Sequence, residues 1–390
     1  MNGGAKSDDP AVTPTSPRRL AFWLPALALL LLVAATIPLA GAGPRPEYPD
    51  APAIAAAPAE SAMGPVYAVS AGIDGEIYPA IANFASSQMP SARQMATVSV
   101  RVTNPGGEML ENRISVSIPG WSDPEIQMAE VAPGVTLTFK FAPTFLPRLY
   151  ANREITPATV IVVGTDPEGR PVFTTTLPVR LRATEDMYWG ARFKYAPFIA
   201  AWVTPHDPLV EQVLSRAKEN MPGRRLPGYE DWKNAAGQTN STYLQAKAIY
   251  DALYRMGVSY VKSSLTFGNN TDVSERVRLP RETLSRTSAN CIDGAVVYAA
   301  AFENLGMDPV IVLVPGHAYV GVRESQRSQN YLYIETSLTG RASFESSVLS
   351  ASRGMSKAPA DKVLRVGIAQ ARARGIYPMP LPGISFNGLP

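Results

Sequence analysis

The sequence predicts an α+β protein with three parts: an N-terminal transmembrane helix, an immunoglobulin-like β-sandwich and a C-terminal α+β domain. Three observations lead to this fold class. Residues 20–43 carry no charged side chain and are rich in Leu and Ala. Apolar and polar side chains alternate with a period of two over residues 93–182. After about residue 188, helical segments come first and strand-like segments follow, which is typical of an α+β domain.

The composition of the chain indicates which classes of protein it can belong to. Hydrophobic residues make up 46% of the 390 residues and charged residues 18%, so the chain can build sizeable cores. The net charge is +3 and Lys and Arg form no cluster, so we expect no nucleic-acid partner. A single cysteine, Cys291, excludes an internal disulfide framework. We also expect no cofactor. We expect no metal site, because zinc needs three or four ligands and Cys291, His206 and His317 are the only Cys and His residues of the chain.

The uncharged run of residues 20–43 is predicted to cross a membrane, which takes about 20 apolar residues as a helix. Arg18 and Arg19 precede the run and Glu47 follows it. The positive-inside rule then leaves residues 1–19 as a cytoplasmic tail and the remainder outside the cytoplasm. We therefore predict a single-pass protein of the inner or plasma membrane with its C-terminal domain in the periplasm, attached to the membrane by this helix.

The alternative for this run is a cleaved signal peptide. Residues 40–42 are Ala-Gly-Ala, which resembles a cleavage site after small residues. The apolar run is longer than the core of an ordinary signal peptide, which has about 7–15 residues, and this favours a retained helix. Both interpretations export the rest of the chain.

Residues 44–92 are predicted to be a linker, because their Pro/Ala-rich start shows neither a helical nor a strand period. Residues 93–187 are predicted to be the β-sandwich, a scaffold or binding module in which no chemistry is visible. Turns such as 104–107 (Asn-Pro-Gly-Gly) separate its strands. The alternating runs cover residues 98–102, 114–118, 135–141 and 173–181.

Residues 188–390 are predicted to be the α+β domain. Asp207-Pro208 begins a helix, with proline in its first turn. The other predicted segments are a helix over 239–255, a strand-like stretch over 258–267, a helix over 291–305, strands over 309–314, 317–323 and 331–335, and a strand followed by a short helix over 362–374.

The candidate chemistry begins at Cys291, the first residue of a predicted helix. Unpaired N–H groups at a helix N-terminus stabilise an anion, and this is where reactive thiolates are found. His317 follows a Pro-Gly turn and starts a strand, so its imidazole can act as the base. Glu335 ends the next strand, and if the two strands are antiparallel neighbours its carboxylate can orient the imidazole.

The stretch NCIDGAVVYAAAFENLGMDPVIVLVPGHAYVGV, followed by YLYIETS, resembles the transglutaminase-like superfamily with its papain-like Cys-His-Asp/Glu fold. The resemblance covers residues 209–376 and is to a bacterial, membrane-anchored member. It implies that Cys291 is the nucleophile, His317 the general base and acid, and Glu335 the orienting carboxylate, where many members have Asp. The motif does not identify the second oxyanion donor. The backbone N–H of Cys291 is one candidate, and an upstream side chain is the other.

This resemblance implies a thiol-dependent hydrolase or transferase of the cell envelope that acts on an amide bond of a protein or peptide substrate through a thioester. Cysteine peptidase, amidase, deamidase and transglutaminase activities are all consistent with it. The alternative is a non-catalytic envelope binding or assembly module that keeps the fold, because a lone cysteine at a helix start is more often an inert buried residue. We expect Asp293 to serve as a helix N-terminal charge and His206 to lie in a loop before a helix.

Overall fold

The structure is a computed structural model that describes residues 55–56, 64–87, 89, 92, 95–230, 241–262 and 274–380. It is a mixed α/β structure with several sheets, and its described residues form one compact unit. One continuous hydrophobic cluster runs through it from Val69 to Met379, so the β-rich and the helical parts share a core.

The fold class predicted from the sequence included an N-terminal transmembrane helix, and this part of the prediction is wrong. No described helix is both long and apolar enough to cross a membrane, and residues 20–43, on which the prediction rested, lie outside the described residues. The longest described helix, Ser241–Arg255, has 15 residues. At 1.5 Å per residue it spans about 22 Å, short of a hydrocarbon core of about 30 Å. We therefore withdraw the predicted membrane attachment and the single-pass, periplasmic location, because both were derived from the predicted transmembrane helix.

The N-terminal part of the described chain is β-rich. Its strands form a four-stranded antiparallel sheet in the order β1-β2-β4-β7 and a five-stranded sheet in the order β3-β9-β8-β5-β6, in which only β3 and β9 are parallel. Its elements are β1 (Ala55–Ala56), β2 (Val66–Ala71), β3 (Glu76–Ile77), α1 (Pro79–Ala85), β4 (Val98–Thr103), β5 (Leu110–Ser117), β6 (Glu125–Val131), β7 (Thr136–Phe141), β8 (Thr156–Thr165) and β9 (Pro171–Leu181).

Each sheet buries one face, and on β4 and β5 it is the face that alternation predicts. On β4, Val98, Val100 and Val102 are buried and belong to the same hydrophobic cluster as Ile114 and Val116 of β5, which lies in the other sheet.

The prediction that residues 44–92 are a linker is wrong for the second half of this segment, which forms a strand and a helix. There β2 pairs with β4 along its whole length, and α1 buries Ala80, Ala82 and Phe84.

The C-terminal part combines eight strands and six α-helices among its described residues. Strands β16-β15-β14-β17 form an antiparallel sheet, β10 pairs with β12, and β11 pairs parallel with β13. The elements are β10 (Asp186–Tyr188), α2 (Pro208–Ala217), α3 (Ser241–Arg255), β11 (Ser259–Tyr260), β12 (Ser274–Arg276), α4 (Pro280–Arg286), β13 (Ser288–Ala289), α5 (Cys291–Asn304), β14 (Pro309–Val314), β15 (His317–Arg323), β16 (Tyr331–Ile334), α6 (Phe344–Lys357), β17 (Leu364–Gly367) and α7 (Ile368–Ala373).

Helix α5 is the central element of this part. Its residues from Cys291 to Phe302 are all buried, so the helix is enclosed by other elements around its whole circumference. It packs against β14 and β15 on one side of the sheet. On the other side, Val310, Val312 and Val314 form a second cluster with Ala351 of α6. The sheet thus lies between α5 and α6.

Candidate active site

Cys291 is the first residue of helix α5, as the sequence predicts. The side chain of Asn290 caps the helix by accepting a hydrogen bond from the backbone N–H of Asp293 at 2.8 Å, and Asp293 accepts one in return from the backbone N–H of Asn290 at 3.3 Å. This reciprocal capping box fixes the start of the helix. The Cys291 residue itself has 0% of its surface exposed.

His317 is the first residue of β15 and follows a tight turn from β14. Val314 and His317 are paired across that turn, and Gly316 adopts a φ of 74°, a conformation that glycine takes without strain. The ring lies edge-on to Tyr319, with 4.7 Å between the ring centroids. The turn and the neighbouring ring together hold the imidazole at the end of the sheet.

Glu335 directly follows β16, the strand that pairs with β15. Its Oε2 lies 2.7 Å from Nε2 of His317. Its Oε1 accepts hydrogen bonds from the backbone N–H of Ser337 at 3.0 Å and from the Ser337 hydroxyl at 2.7 Å. Burial acts to raise the pKa of Glu335, but the hydrogen bond and positive charge of His317 and the two bonds from Ser337 outweigh it and lower the pKa. Glu335 is therefore held as a carboxylate.

The side chain of Cys291 lies close enough to His317 to raise the pKa of the imidazole, through hydrogen bonding and through its negative charge. Because Nε2 is bonded to Glu335, Nδ1 is the ring nitrogen that remains for the sulfur. Burial acts to lower the pKa of His317. The hydrogen bonds to Cys291 and Glu335, together with their negative charges, outweigh burial and raise the pKa to about 10. The imidazole therefore stays protonated at neutral pH in the presence of these two partners.

The turn Thr336–Leu338 connects the carboxylate to the cysteine helix. The hydroxyl of Thr336 donates to the backbone C=O of Cys291 at 3.0 Å. This close approach depends on Gly294, since a Cβ there would lie 2.8 Å from Oγ1 and 2.9 Å from Cβ of Thr336. The residue after Glu335 is thus fixed to the first turn of α5.

Asp293 and His206 lie outside this hydrogen-bonded group. Asp293 is buried in the capping box, and its Oδ1 accepts a hydrogen bond from the backbone N–H of Arg278 at 2.9 Å. Its burial raises its pKa, in opposition to the hydrogen bonds that it accepts. Asp293 therefore stabilises the helix start, as the sequence predicts. His206 is an exposed turn residue just before α2. In the part of the chain that the structure describes, no three His, Cys, Asp or Glu side chains are grouped to hold a metal ion.

Sequence reasoning did not identify the residues that position Glu335. Thr336 and Ser337 follow it directly in the YLYIETS stretch, and small hydroxyl residues after a strand end are the available signal, because they commonly bond nearby backbone and side chains.

Comparison of the chain with protein-family models, with curated proteins and with solved structures gave no match. The resemblance to the transglutaminase-like superfamily therefore stays a prediction, and the functional argument depends on the geometry of the site.

Proposed function

We propose that this protein catalyses hydrolysis or acyl transfer at an amide bond of a protein or peptide, through a thioester at Cys291. The observation that carries the proposal is the position of His317, whose ring lies 2.7 Å from the Glu335 carboxylate and close enough to the Cys291 side chain for that side chain to raise the pKa of the imidazole. A nucleophile, a base and a group that orients the base are the three roles of a catalytic triad.

The first half of the reaction forms the thioester. His317 already holds the proton at neutral pH and Cys291 reacts as the thiolate: a sulfur lone pair bonds to the amide carbonyl carbon while the C=O π pair moves to the oxygen. The C=O bond then re-forms, the C–N bond breaks, and the leaving amine takes the proton from His317. Glu335 holds the ring in place and stabilises its positive charge throughout.

The second half releases the acyl group. Water, or a primary amine, attacks the thioester carbon and gives a proton to His317. The C–S bond breaks, the electron pair returns to the sulfur of Cys291, and the product is a carboxylic acid or a new amide. The first turn of α5 supplies backbone N–H groups and the positive end of the helix dipole to stabilise the sulfur anion at each stage.

A non-catalytic binding or assembly module is the second candidate, and one observation favours it. Cys291 has no exposed surface, whereas 24% of the His317 side chain is exposed. A cysteine whose only role is to pack in the core has a buried sulfur. The two candidates differ in whether a carbonyl reagent reaches the sulfur.

Acetylation by p-nitrophenyl acetate tests the proposal, with release of p-nitrophenolate as the rate and intact mass as the record of the acetyl-enzyme. Because the chain has one cysteine, Cys291→Ala identifies the site without ambiguity. We expect a burst of nitrophenolate from the wild-type protein, no burst from Cys291→Ala, and loss of most of the rate from His317→Ala. His206→Ala is the matched control, since His206 is the other histidine and is exposed. Equal, slow acetylation in wild type and Cys291→Ala contradicts the proposal and favours the binding module. An added primary amine that captures the acetyl group distinguishes transfer from hydrolysis.

A further inference from the structure

A groove runs along helix α6, on the face of the sheet that this helix covers. It has a volume of about 440 Å³ and lies between Tyr319 of β15 and one stripe of α6. Spacings of three or four positions within the stripe put its members on the same side of the helix. These members are Ser346, Leu349, Ser350, Arg353, Gly354 and Lys357. We refer to this cavity as the α6 groove.

Tyr319 connects the α6 groove to the candidate active site. Side chains two positions apart on a strand leave the same face of the sheet, so His317 and Tyr319 share a face of β15. Their ring centroids lie 4.7 Å apart. At its other end, the Tyr319 hydroxyl lies against Gly354 of α6, where a Cβ would overlap it. One buried tyrosine therefore spans the distance from the imidazole to the groove, and a peptide held in the groove lies next to His317.

The α6 groove is positively charged. Arg353 and Lys357 are exposed and lie one helical turn apart, and neither makes an ion pair with any residue that the structure describes. None of the described Asp and Glu side chains lines the groove. The hydroxyls of Ser346 and Ser350 add hydrogen-bond donors, and Leu349, 50% exposed, adds an apolar contact. The groove therefore matches a group that is negatively charged and presents acceptor oxygens.

The helix dipole explains only part of this charge. A cation in the last turn stabilises a helix, and Lys357 lies in the last turn of α6. This effect falls off within the last turn, and Arg353 lies one turn earlier. The dipole thus accounts for Lys357 but not for Arg353, which lines the same groove.

We propose that the α6 groove binds a carboxylate of the peptide substrate, so that the reaction at Cys291 acts on acidic peptides. This inference rests on the proposed function and names its substrate class. The guanidinium of Arg353 presents paired N–H donors that match the two oxygens of a carboxylate. Lys357 adds a second positive charge, and the serine hydroxyls donate hydrogen bonds. An acidic side chain and the C-terminus of a peptide both supply such a carboxylate.

Calorimetry and alkylation together test this inference on the full chain. The probes are a short oligoglutamate peptide with blocked ends, an oligoglutamine peptide of the same length with blocked ends, and the same oligoglutamine with a free C-terminal carboxylate. We expect oligoglutamate to bind and to slow the alkylation of Cys291 by iodoacetamide, and blocked oligoglutamine to do neither. Binding of the third peptide assigns the groove to a C-terminal carboxylate, and its failure to bind assigns the groove to acidic side chains.

The variants Arg353→Gln and Lys357→Gln should each weaken oligoglutamate binding by about tenfold, the effect of losing one hydrogen bond to a charged group. Both positions are exposed, so the variants should fold normally, which thermal melting verifies. Arg216→Gln is the matched control. Arg216 is also an exposed cation, in the last turn of α2, and it does not line the groove. This variant should bind oligoglutamate as the wild type does.

Several results overturn the inference. No binding, or equal binding of oligoglutamate and blocked oligoglutamine, shows that the groove does not recognise a carboxylate. An equal loss in Arg216→Gln shows that the chain, with its net charge of +3, attracts anions without a site. Binding that leaves the alkylation rate of Cys291 unchanged places the carboxylate away from the sulfur. Failure of the proposed function looks different, since oligoglutamate binding then still depends on Arg353 while p-nitrophenyl acetate yields no acetyl-enzyme.

Discussion

Ser337 donates two hydrogen bonds to one carboxylate oxygen of Glu335, through its backbone N–H at 3.0 Å and its hydroxyl at 2.7 Å, while the other oxygen lies 2.7 Å from Nε2 of His317. A carboxylate held at both oxygens cannot rotate away from the ring that it orients. The peptide that carries Ser337 also carries Thr336, which bonds the backbone of Cys291. One short turn therefore connects all three residues of the candidate site.

Replacing Ser337 with Ala should weaken the site without removing any member of it. The variant loses the hydroxyl bond to Glu335 but keeps the backbone bond, so the pKa of Glu335 should rise because one of the bonds that lower it is gone. A hydrogen bond to a charged group contributes about 1.5–3 kcal/mol, and we expect a loss of unfolding free energy near the lower end. Urea unfolding measures the stability, and acetylation should slow severalfold. Ser346→Ala, at an exposed helix position, is the control. Identical unfolding curves for wild type and Ser337→Ala contradict the expectation.

Replacing Gly294 with Ala should push the turn that follows Glu335 away from the first turn of helix α5. The new Cβ would lie 2.8 Å from Oγ1 of Thr336, closer than side-chain packing allows, so the turn after Glu335 must shift. Overpacking of this kind costs about 1–3 kcal/mol. We expect that loss in thermal unfolding together with slower acetylation. Gly107→Ala is the matched control, since no atom lies within 4 Å of a Cβ there. A variant with wild-type stability and rate shows that the contact between Gly294 and Thr336 is unimportant.

Glu275 should make stability depend on pH. Its Oε2 accepts a hydrogen bond from Nε1 of Trp189 at 3.3 Å. Burial, aided by the charge of Asp293 and opposed by the Trp189 bond, raises its pKa from 4.5 to about 7. Because the folded state holds the proton more tightly than the unfolded state, its stabilising contribution is complete below about pH 4.5 and is lost as pH rises to about 7.

The variant Glu275→Gln cannot ionise, so its stability relative to wild type should improve between pH 5 and pH 8, by at most about 3 kcal/mol. Melting temperatures of both proteins across this range measure the difference. Glu168→Gln, on an exposed turn, should show no such trend. A difference between Glu275→Gln and wild type that stays constant with pH contradicts the pKa assignment.

The sequence predicted the local elements of the site well, because each has its own start and stop signal. Strands β14 and β15 match the predicted ranges 309–314 and 317–323, since a Pro-Gly turn separates two runs of β-branched and aromatic residues. Helix α5 begins at Cys291, where the preceding Asn290 supplies the cap. The closeness of Glu335 to His317 follows from the antiparallel neighbours β15 and β16.

Elements without such signals were missed. Helix α6 is rich in serine and has few apolar residues, and it buries only Phe344, Ser347 and Ala351. On β6 the larger apolar residues, Ile126 and Met128, are exposed, and alternation therefore points to the wrong face. The pairing of β11 with β13 joins distant segments, which a periodic pattern cannot reveal. The transmembrane prediction used local hydropathy alone, and its segment lies outside the described residues.

The most direct test of the central claim is the rate of iodoacetamide alkylation of Cys291 between pH 5 and pH 10. The imidazole of His317, with its pKa raised to about 10, keeps its positive charge beside the sulfur over most of this range. We predict that wild-type alkylation is already substantial at pH 6 and changes little up to pH 9. In His317→Ala the reaction should rise steeply near pH 8.5, where an isolated cysteine ionises, and His206→Ala should follow the wild type. Alkylation that begins only above about pH 8.5 in the wild type, with the same profile in His317→Ala, would contradict the catalytic account and leave Cys291 as a packed residue of a binding module.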